Sequence, residues 1–176
     1  MATDPPLLTR RRAIAILRAD RERIVALYDP LPPAVQVTPG LGGGAWSPAD
    51  LLGHLESWEE HALAALDAWA RDEPAPIDAA FRTSSTSAIN AAEVARKAGR
   101  TGAQARRHAA RTHERLLARI AALTDAQWRS PATSRAHKPL GHRVGQILVG
   151  RRDPFRHDEA HLRDLRAFVA HHGHTG

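Results

Sequence analysis

The sequence contains no cysteine in its 176 residues. This absence excludes a disulfide framework, a thiolate metal site and a cysteine nucleophile. A metal ion bound by this chain would have to be held by His, Asp or Glu side chains. A reactive thiol would have to arrive with a small molecule.

Long apolar runs are also absent, because no stretch approaches 18 consecutive apolar residues. We therefore expect no membrane-spanning helix. The N-terminal stretch MATDPPLLTRRRAIAILRADRERI lacks the order of a signal peptide, since its basic cluster follows the first leucines and acidic residues soon interrupt the apolar ones. A hydrophobic fraction of 43% and a charged fraction of 25% are those of a soluble globular protein, and we expect a cytoplasmic one.

The charge of the chain is basic but dispersed. Lys and Arg number 25 against 19 Asp and Glu, which gives a net charge of +6. Nucleic-acid-binding surfaces usually concentrate such charge on one stripe, whereas here the basic groups lie far apart in sequence and among acidic residues. We therefore expect a solvated helix surface and no nucleic-acid partner. The alternative is a non-catalytic basic helical module that binds nucleic acid.

Hydrophobic periodicity predicts amphipathic helices and no strand. Apolar residues recur at three- and four-residue steps over four segments, at about residues 7–28, 48–71, 87–123 and 153–170. Gly99 and Gly102 either bend the third segment or divide it in two. Four such helices with long connections predict an all-α fold, a four-helix bundle that forms one domain over residues 1–176.

Two of the predicted helices have clear starts. In the second helix, Ser47 suits the N-cap, Pro48 the first helical position and Asp50 the third, near the positive end of the helix dipole. In the fourth helix, Asp153 suits the cap and Pro154 the first position. We expect the apolar stripe of the second helix to face the core and three glutamates to face solvent, namely Glu56, Glu59 and Glu60.

Three histidines lie on the inward faces of these two helices. His54 belongs to the apolar stripe of the second helix, and His157 and His161 lie one turn apart on the fourth. Residues four apart on a helix have Cβ atoms about 5–6 Å apart, so two imidazole nitrogens can converge on one ion at about 2.0–2.1 Å. A third nitrogen from the facing helix completes a site that leaves coordination positions open, as in catalytic metal sites. The alternative is that the histidines are hydrogen-bonded core residues.

Two tryptophans and an aspartate accompany this predicted metal site. Trp46 and Trp58 would form the apolar wall of a substrate pocket, although Trp58 also fits the core and Trp46 also fits a staple that packs onto the helix start. Asp158 stands beside a histidine in the sequence. It would either accept a hydrogen bond from an imidazole or lie on the surface.

Several stretches resemble a known family. WSPADLLGHLESWEEHALAAL is similar to the signature of the DinB-like four-helix bundle superfamily, in which a Trp and a capped helix start precede His-Leu-x-x-Trp. PFRHDEAHLRDLRAF resembles the closing His-x-x-x-His helix of that family. The intervening INAAEVARKAGRTGAQARRHAARTHERLLARIAALTDAQW is similar to its ClbS/DfsB-like branch, and the likeness covers roughly Leu7 to Val169.

The resemblance implies a metal-binding bundle, often a homodimer, that binds a divalent ion such as nickel or zinc. Carried over residue by residue, its ligands are His54, His157 and His161. Relatives include transferases and isomerases that use a low-molecular-weight thiol such as mycothiol, bacillithiol or glutathione. Members of the ClbS-like branch instead open a strained cyclopropane in a genotoxic natural product.

These implications lead to two functional predictions besides the basic module. The first is a metal-dependent transferase or hydrolase of a small electrophilic molecule, in which the ion lowers the pKa of a water or a thiol. The second is a ClbS-like self-resistance protein that hydrolyses or sequesters a genotoxic natural product without a metal. Family membership alone does not decide between them, because one fold supports several reactions.

Overall fold

Nine α-helices and one short 3-10 helix form the regular structure of residues 6–150 and 153–172, the parts of the chain that the computed structural model describes. These parts contain no strand, so the prediction of an all-α fold is confirmed. None of the described helices has both the length and the apolar composition that a membrane crossing requires. The α-helices are α1 (Arg10–Tyr28), α2 (Pro33–Gln36), α3 (Pro48–Trp69), α4 (Pro76–Thr83), α5 (Thr86–Arg96), α6 (Gly102–Ala121), α7 (Asp125–Arg129), α8 (Leu140–Ile147) and α9 (His157–His172).

The four long helices α1, α3, α6 and α9 form the bundle, in which α3 packs against α6 and α1 packs against α9. Because the shorter α4, α5 and α8 also pack on α3, residues 51–59 of this central helix are buried without interruption. The prediction that Glu56 and Glu59 face solvent is therefore wrong, since each is only 2% exposed. The apolar stripe of α3 alone did not reveal the partners of these two carboxylates, which are Lys97 and Arg100 for Glu56, and Arg21 of α1 and His113 of α6 for Glu59.

The predicted third helix is divided into α5 and α6, and a glycine accounts for the break. Gly99 adopts a φ of +81°, a left-handed conformation that glycine takes without a steric penalty. Thr101 then caps α6, because its hydroxyl accepts a hydrogen bond from the backbone N–H of Gln104 at 3.2 Å. Of the two alternatives for residues 87–123, a bend or a division, the structure shows the division, and both resulting helices pack on α3.

The last helix begins at His157 and not at Asp153, where the sequence predicts it. Asp153 and Pro154 lie ahead of the helix, and Phe155 adopts a left-handed φ of 63°. That conformation is unfavourable for a bulky residue. Burial offsets the cost, since Phe155 is 2% exposed and its ring stacks on Trp128 with the centroids 6.0 Å apart. The chain ahead of α9 is thus held by the buried ring of Phe155, whereas the sequence predicts a helix cap at Asp153.

A layer of charged side chains divides the core into two apolar clusters. One cluster contains the start of α1 and the later turns of α3 and α6, and the other contains the end of α1, the early turns of α3 and α6, and most of α9. Between the clusters lie four residues that are each at most 7% exposed, one from each long helix: Arg21, Glu59, His113 and Asp158. Because His157 directly precedes Asp158, the predicted metal site lies beside this charged layer.

Candidate metal centre

Three histidine side chains converge between α3 and α9. His54 is buried on α3, His157 and His161 are partly buried on α9, and one ring nitrogen of each lies within 4.8 Å of the others. The Nε2 atoms of His54 and His157 are 3.1 Å apart. Within the described residues, no other group of three His, Asp or Glu side chains has this arrangement. The structure therefore brings the three predicted ligands together, and their role as ligands stays a prediction.

The start of α3 sets the position of His54. The Ser47 hydroxyl accepts a hydrogen bond from the Asp50 N–H at 3.2 Å, and the Asp50 carboxylate accepts one from the Ser47 N–H at 2.9 Å. This capping box, with Pro48 at the first helical position, confirms the predicted helix start. Two turns later, His54 points toward α9, where the four-residue spacing places two imidazoles on one face.

The donor set suits a divalent transition-metal ion. Imidazole nitrogens bind such ions at about 2.0–2.1 Å, and two nitrogens in a tetrahedral site are then about 3.3 Å apart. The 3.1 Å separation between the Nε2 atoms of His54 and His157 is close to that value. A hydrogen bond between these two atoms would leave His161 out, whereas a central ion contacts all three rings. The Nδ1 atom of His54 is buried without a hydrogen-bond partner among the described residues.

The surroundings keep the three imidazoles neutral, which is the form that binds metal. Burial, together with smaller contributions from the neighbouring His157 and His161, lowers the pKa of His54 to about 2. Burial also lowers the pKa of His157 to about 3, with smaller contributions from His161 and Arg21. The pKa of His161 lies below its ordinary value for the same reason, burial. The imidazoles are therefore neutral, and able to bind a metal cation, at neutral and mildly acidic pH.

The lowered pKa values predict that the metal-free protein loses stability in mild acid. The unfolded chain binds a proton at each histidine near pH 6.5, whereas the folded chain resists protonation of His54 and His157 down to about pH 3. The free energy of unfolding is therefore highest above pH 6.5 and falls as the pH drops. Between about pH 7.5 and pH 5 we expect a loss on the order of 1–2 kcal/mol per histidine, measured by urea unfolding in EDTA. An equal loss in the His54→Gln variant would contradict this origin.

The two predicted tryptophans occupy different places. Trp58 lines a cavity of about 290 Å³ that opens beside the three histidines, and its indole N–H donates to Asn90 Oδ1 at 3.0 Å. Trp46 packs on the ring of His54 with the centroids 4.9 Å apart and does not line this cavity. The structure thus brings Trp58 to the predicted pocket, while Trp46 supports an imidazole.

Asp158 binds an arginine, and this corrects both roles predicted for it. Its carboxylate accepts hydrogen bonds from Arg21 Nε at 2.6 Å and from Nη2 at 3.4 Å. Asp158 is only 7% exposed, so it does not lie on the surface. Within the described residues, its carboxylate accepts hydrogen bonds from Arg21 and from no imidazole. The same guanidinium lies 3.2 Å from Glu59 Oε1, which is 2.6 Å from His113 Nδ1. These four side chains, Arg21, Glu59, His113 and Asp158, are called the buried charge network below.

The buried charge network is absent from the sequence predictions, although a signal for it is present. Its members interrupt apolar helix faces, as Arg21 does between the buried Leu17 and Ile24 on α1. A charged residue at such a position is rarely buried without a partner. Burial on its own would lower the pKa of Arg21, but the carboxylates of Asp158 and Glu59 raise it above its ordinary value, so the guanidinium stays charged.

Comparisons with known proteins agree with this architecture. Residues 16–174 match a family described as the DinB superfamily. An uncharacterised protein from Escherichia coli UTI89 has a similar structure, with a TM-score of 0.76 and 11% identity over 96% of each chain. The colibactin self-resistance protein ClbS, solved in complex with a dsDNA, is similar with a TM-score of 0.72 and 12% identity, over 94% of this chain and 97% of that one. Identities this low show a shared fold alone. No curated protein sequence matches at a significant level.

Proposed function

The chain belongs to the DinB superfamily, and on that premise we propose that it is a divalent-metal-dependent hydrolase or thiol transferase that acts on a small electrophilic molecule. The observation that carries the proposal is the convergence of three imidazole nitrogens at the wall of a cavity. Members of the superfamily often bind a divalent metal. In this chain His54, His157 and His161 would hold it, with nickel or zinc as the expected ion.

The histidines would place the metal within reach of a bound molecule. A divalent ion held by three neutral nitrogens acts as a Lewis acid and lowers the pKa of a water or thiol that reaches it. His54, His157 and His161 themselves line the cavity. A molecule in the cavity therefore contacts the same side chains that would hold the ion, and it also contacts Trp58, which lines the cavity.

The described residues that line the cavity include no activated nucleophile. Cysteine is absent from the chain, and the hydroxyl among the described lining residues is that of Thr86. No hydrogen bond from a described residue activates this hydroxyl. The nucleophile is therefore water or a thiol from solution, and in the second case a low-molecular-weight thiol is the co-substrate.

Turnover of an activated electrophile tests the proposal. We expect the metal-loaded protein to consume styrene oxide, or chlorodinitrobenzene together with a thiol, and the His157→Ala variant to be slower by at least about 100-fold. Chromatography of the products measures the rates, with His108→Ala as a control because His108 is exposed on α6. Equal rates with and without EDTA would contradict a metal-dependent reaction.

A second candidate is a protective protein of the kind that the name of ClbS describes. The shared fold over nearly the whole chain favours it. The chain would then hydrolyse or sequester a genotoxic natural product without a metal, and expression in host cells would increase survival under a DNA-alkylating metabolite. The wild-type chain and the His157→Ala variant would protect equally. Protection that disappears in the variant would favour the metal-dependent enzyme instead.

Two expectations about partners belong to the proposal. The ClbS structure contains a dsDNA, whereas the dispersed charge of this chain predicts no nucleic-acid partner. We expect no binding of duplex DNA at low salt by fluorescence anisotropy, and strong salt-dependent binding would favour the basic module. The homodimer that the resemblance implies stays a prediction, and light scattering of the purified protein measures it.

A further inference from the structure

Among the residues that the structure describes, none on the walls of the histidine cavity carries a formal charge. Apart from the three histidines, its lining among the described residues consists of five apolar side chains, one hydroxyl and two amides. A second cavity of about 280 Å³, which shares Ala160 with the first, is by contrast lined by charged side chains, namely Arg23, Arg156, Arg163, Arg166, Asp153 and Glu159. Away from the proposed metal, an anionic ligand would find cationic side chains in the second cavity and none among the described residues of the first.

Two apolar side chains at the histidine cavity are exposed to solvent. Phe81 is 42% exposed and Val149 40%, and Val37 is the one other large hydrophobic residue with such exposure among the described residues. Apolar surface gains roughly 25 cal/mol per Å² when it leaves water, so a ligand that covers both side chains is stabilised by their burial. The ring of Phe81 is nearly parallel to that of Trp58, with planes at 28° and centroids 6.2 Å apart. Because both rings line the cavity, they offer aromatic surface to a flat apolar ligand.

Asn90 adds a polar group of defined orientation. The indole N–H of Trp58 lies 3.0 Å from the Asn90 side chain, and an indole can only donate, so the amide atom that faces it is the oxygen. The NH₂ group of Asn90 is thereby left to donate to another acceptor. Because Asn90 also lines the cavity, a carbonyl oxygen on a ligand is the matching group.

We infer that the substrate is an uncharged molecule with a flat apolar body and a carbonyl oxygen. The flat body packs on Trp58 and Phe81, and the carbonyl accepts a hydrogen bond from Asn90. This inference rests on the proposed function, because it takes the histidine cavity as the substrate site. Away from the proposed metal, a charged group on the ligand would lose its hydration without an opposite charge among the described lining residues.

Acetylnaphthalene and naphthoate are a matched pair of probes, since they share a flat body and differ in charge. We expect the full-length protein to bind acetylnaphthalene. After metal has been removed with EDTA, we expect the protein to bind naphthoate at least about tenfold more weakly than it binds acetylnaphthalene. Titration calorimetry gives both affinities, and the metal content of each preparation is measured in parallel. Circular dichroism checks that each variant is folded.

Substitutions at the rim locate the binding. We expect Phe81→Ala and Val149→Ala each to weaken the binding of acetylnaphthalene about fivefold, and Asn90→Leu about tenfold. Val37→Ala is the matched control, because Val37 is similarly exposed but does not line the cavity. Its affinity for acetylnaphthalene should equal that of the wild type.

Several outcomes would overturn the inference. One is that acetylnaphthalene does not bind, and another is that the metal-free protein binds the two probes with equal affinity. The others are that Phe81→Ala and Val149→Ala both keep the wild-type affinity for acetylnaphthalene, and that Val37→Ala loses as much affinity as they do. Failure of the proposed function is a separate result. A protein that binds the neutral probe through Phe81 and Val149 but holds no metal keeps this inference and loses the metal-dependent reaction. A metal-dependent enzyme that binds both probes equally after EDTA treatment keeps the reaction and loses the inference.

Discussion

Replacement of His157 by alanine is expected to reduce the bound divalent metal from about one ion per chain to below about 0.1. His157 supplies one of the three converging nitrogens, and its Nε2 atom lies 3.1 Å from that of His54. With two imidazoles left, the ion stays mostly hydrated, and its affinity falls by more than the roughly 10–100-fold that loss of a supporting hydrogen bond causes. Elemental analysis of protein purified from cells supplied with nickel or zinc measures the occupancy.

The same loss of metal is expected for His54→Ala and His161→Ala, because each removes one nitrogen of the same group. His108→Ala is the matched control, since it also deletes an imidazole but from the exposed face of α6. We expect the control to retain the wild-type metal content. Full occupancy in all three site variants would show that any bound metal lies elsewhere.

The Arg21→Met variant is expected to lose about 3–5 kcal/mol of unfolding free energy. Arg21 is 5% exposed and forms ion pairs with Asp158 at 2.6 Å and Glu59 at 3.2 Å. Methionine keeps much of the volume but leaves two carboxylates buried without their shared cation, and their desolvation is then uncompensated. Urea unfolding at neutral pH measures the change.

Arg71→Ala is the matched control for this prediction. Arg71 also forms an ion pair, with Glu73 at 2.7 Å, but both side chains are more than half exposed. Water screens such a pair, so we expect a change below about 1 kcal/mol. A change in Arg21→Met as small as that in Arg71→Ala would show that the buried charge network does not hold the four long helices together.

The sequence predicts the parts of the fold that follow from helix periodicity and capping. The stripe on α3 and the four-residue spacing on α9 place His54, His157 and His161 on facing surfaces, and the structure brings their nitrogens together. Ser47 and Pro48 mark the start of α3 in the sequence, and the helix begins there. These features are local, because each depends on residues within one or two turns of the same helix.

The features that the sequence does not predict depend on contacts between distant segments. Phe155 takes a left-handed conformation because its ring is buried against Trp128, and no local pattern predicts that contact. The burial of Glu56 depends on Lys97 and Arg100, which the break after α5 brings within 3.2 Å and 2.5 Å of its carboxylate. A helical wheel treats such a charged residue as solvent-facing, because it contains no information on what packs against the other side.

Anomalous X-ray diffraction from crystals of the metal-loaded protein, recorded at the absorption edge of the bound metal, tests the shared ion most directly. We predict one anomalous peak per chain, about 2.0–2.1 Å from a ring nitrogen of each of His54, His157 and His161. Three rings with no peak between them, or a peak bound only by other residues, would contradict a metal centre at this site.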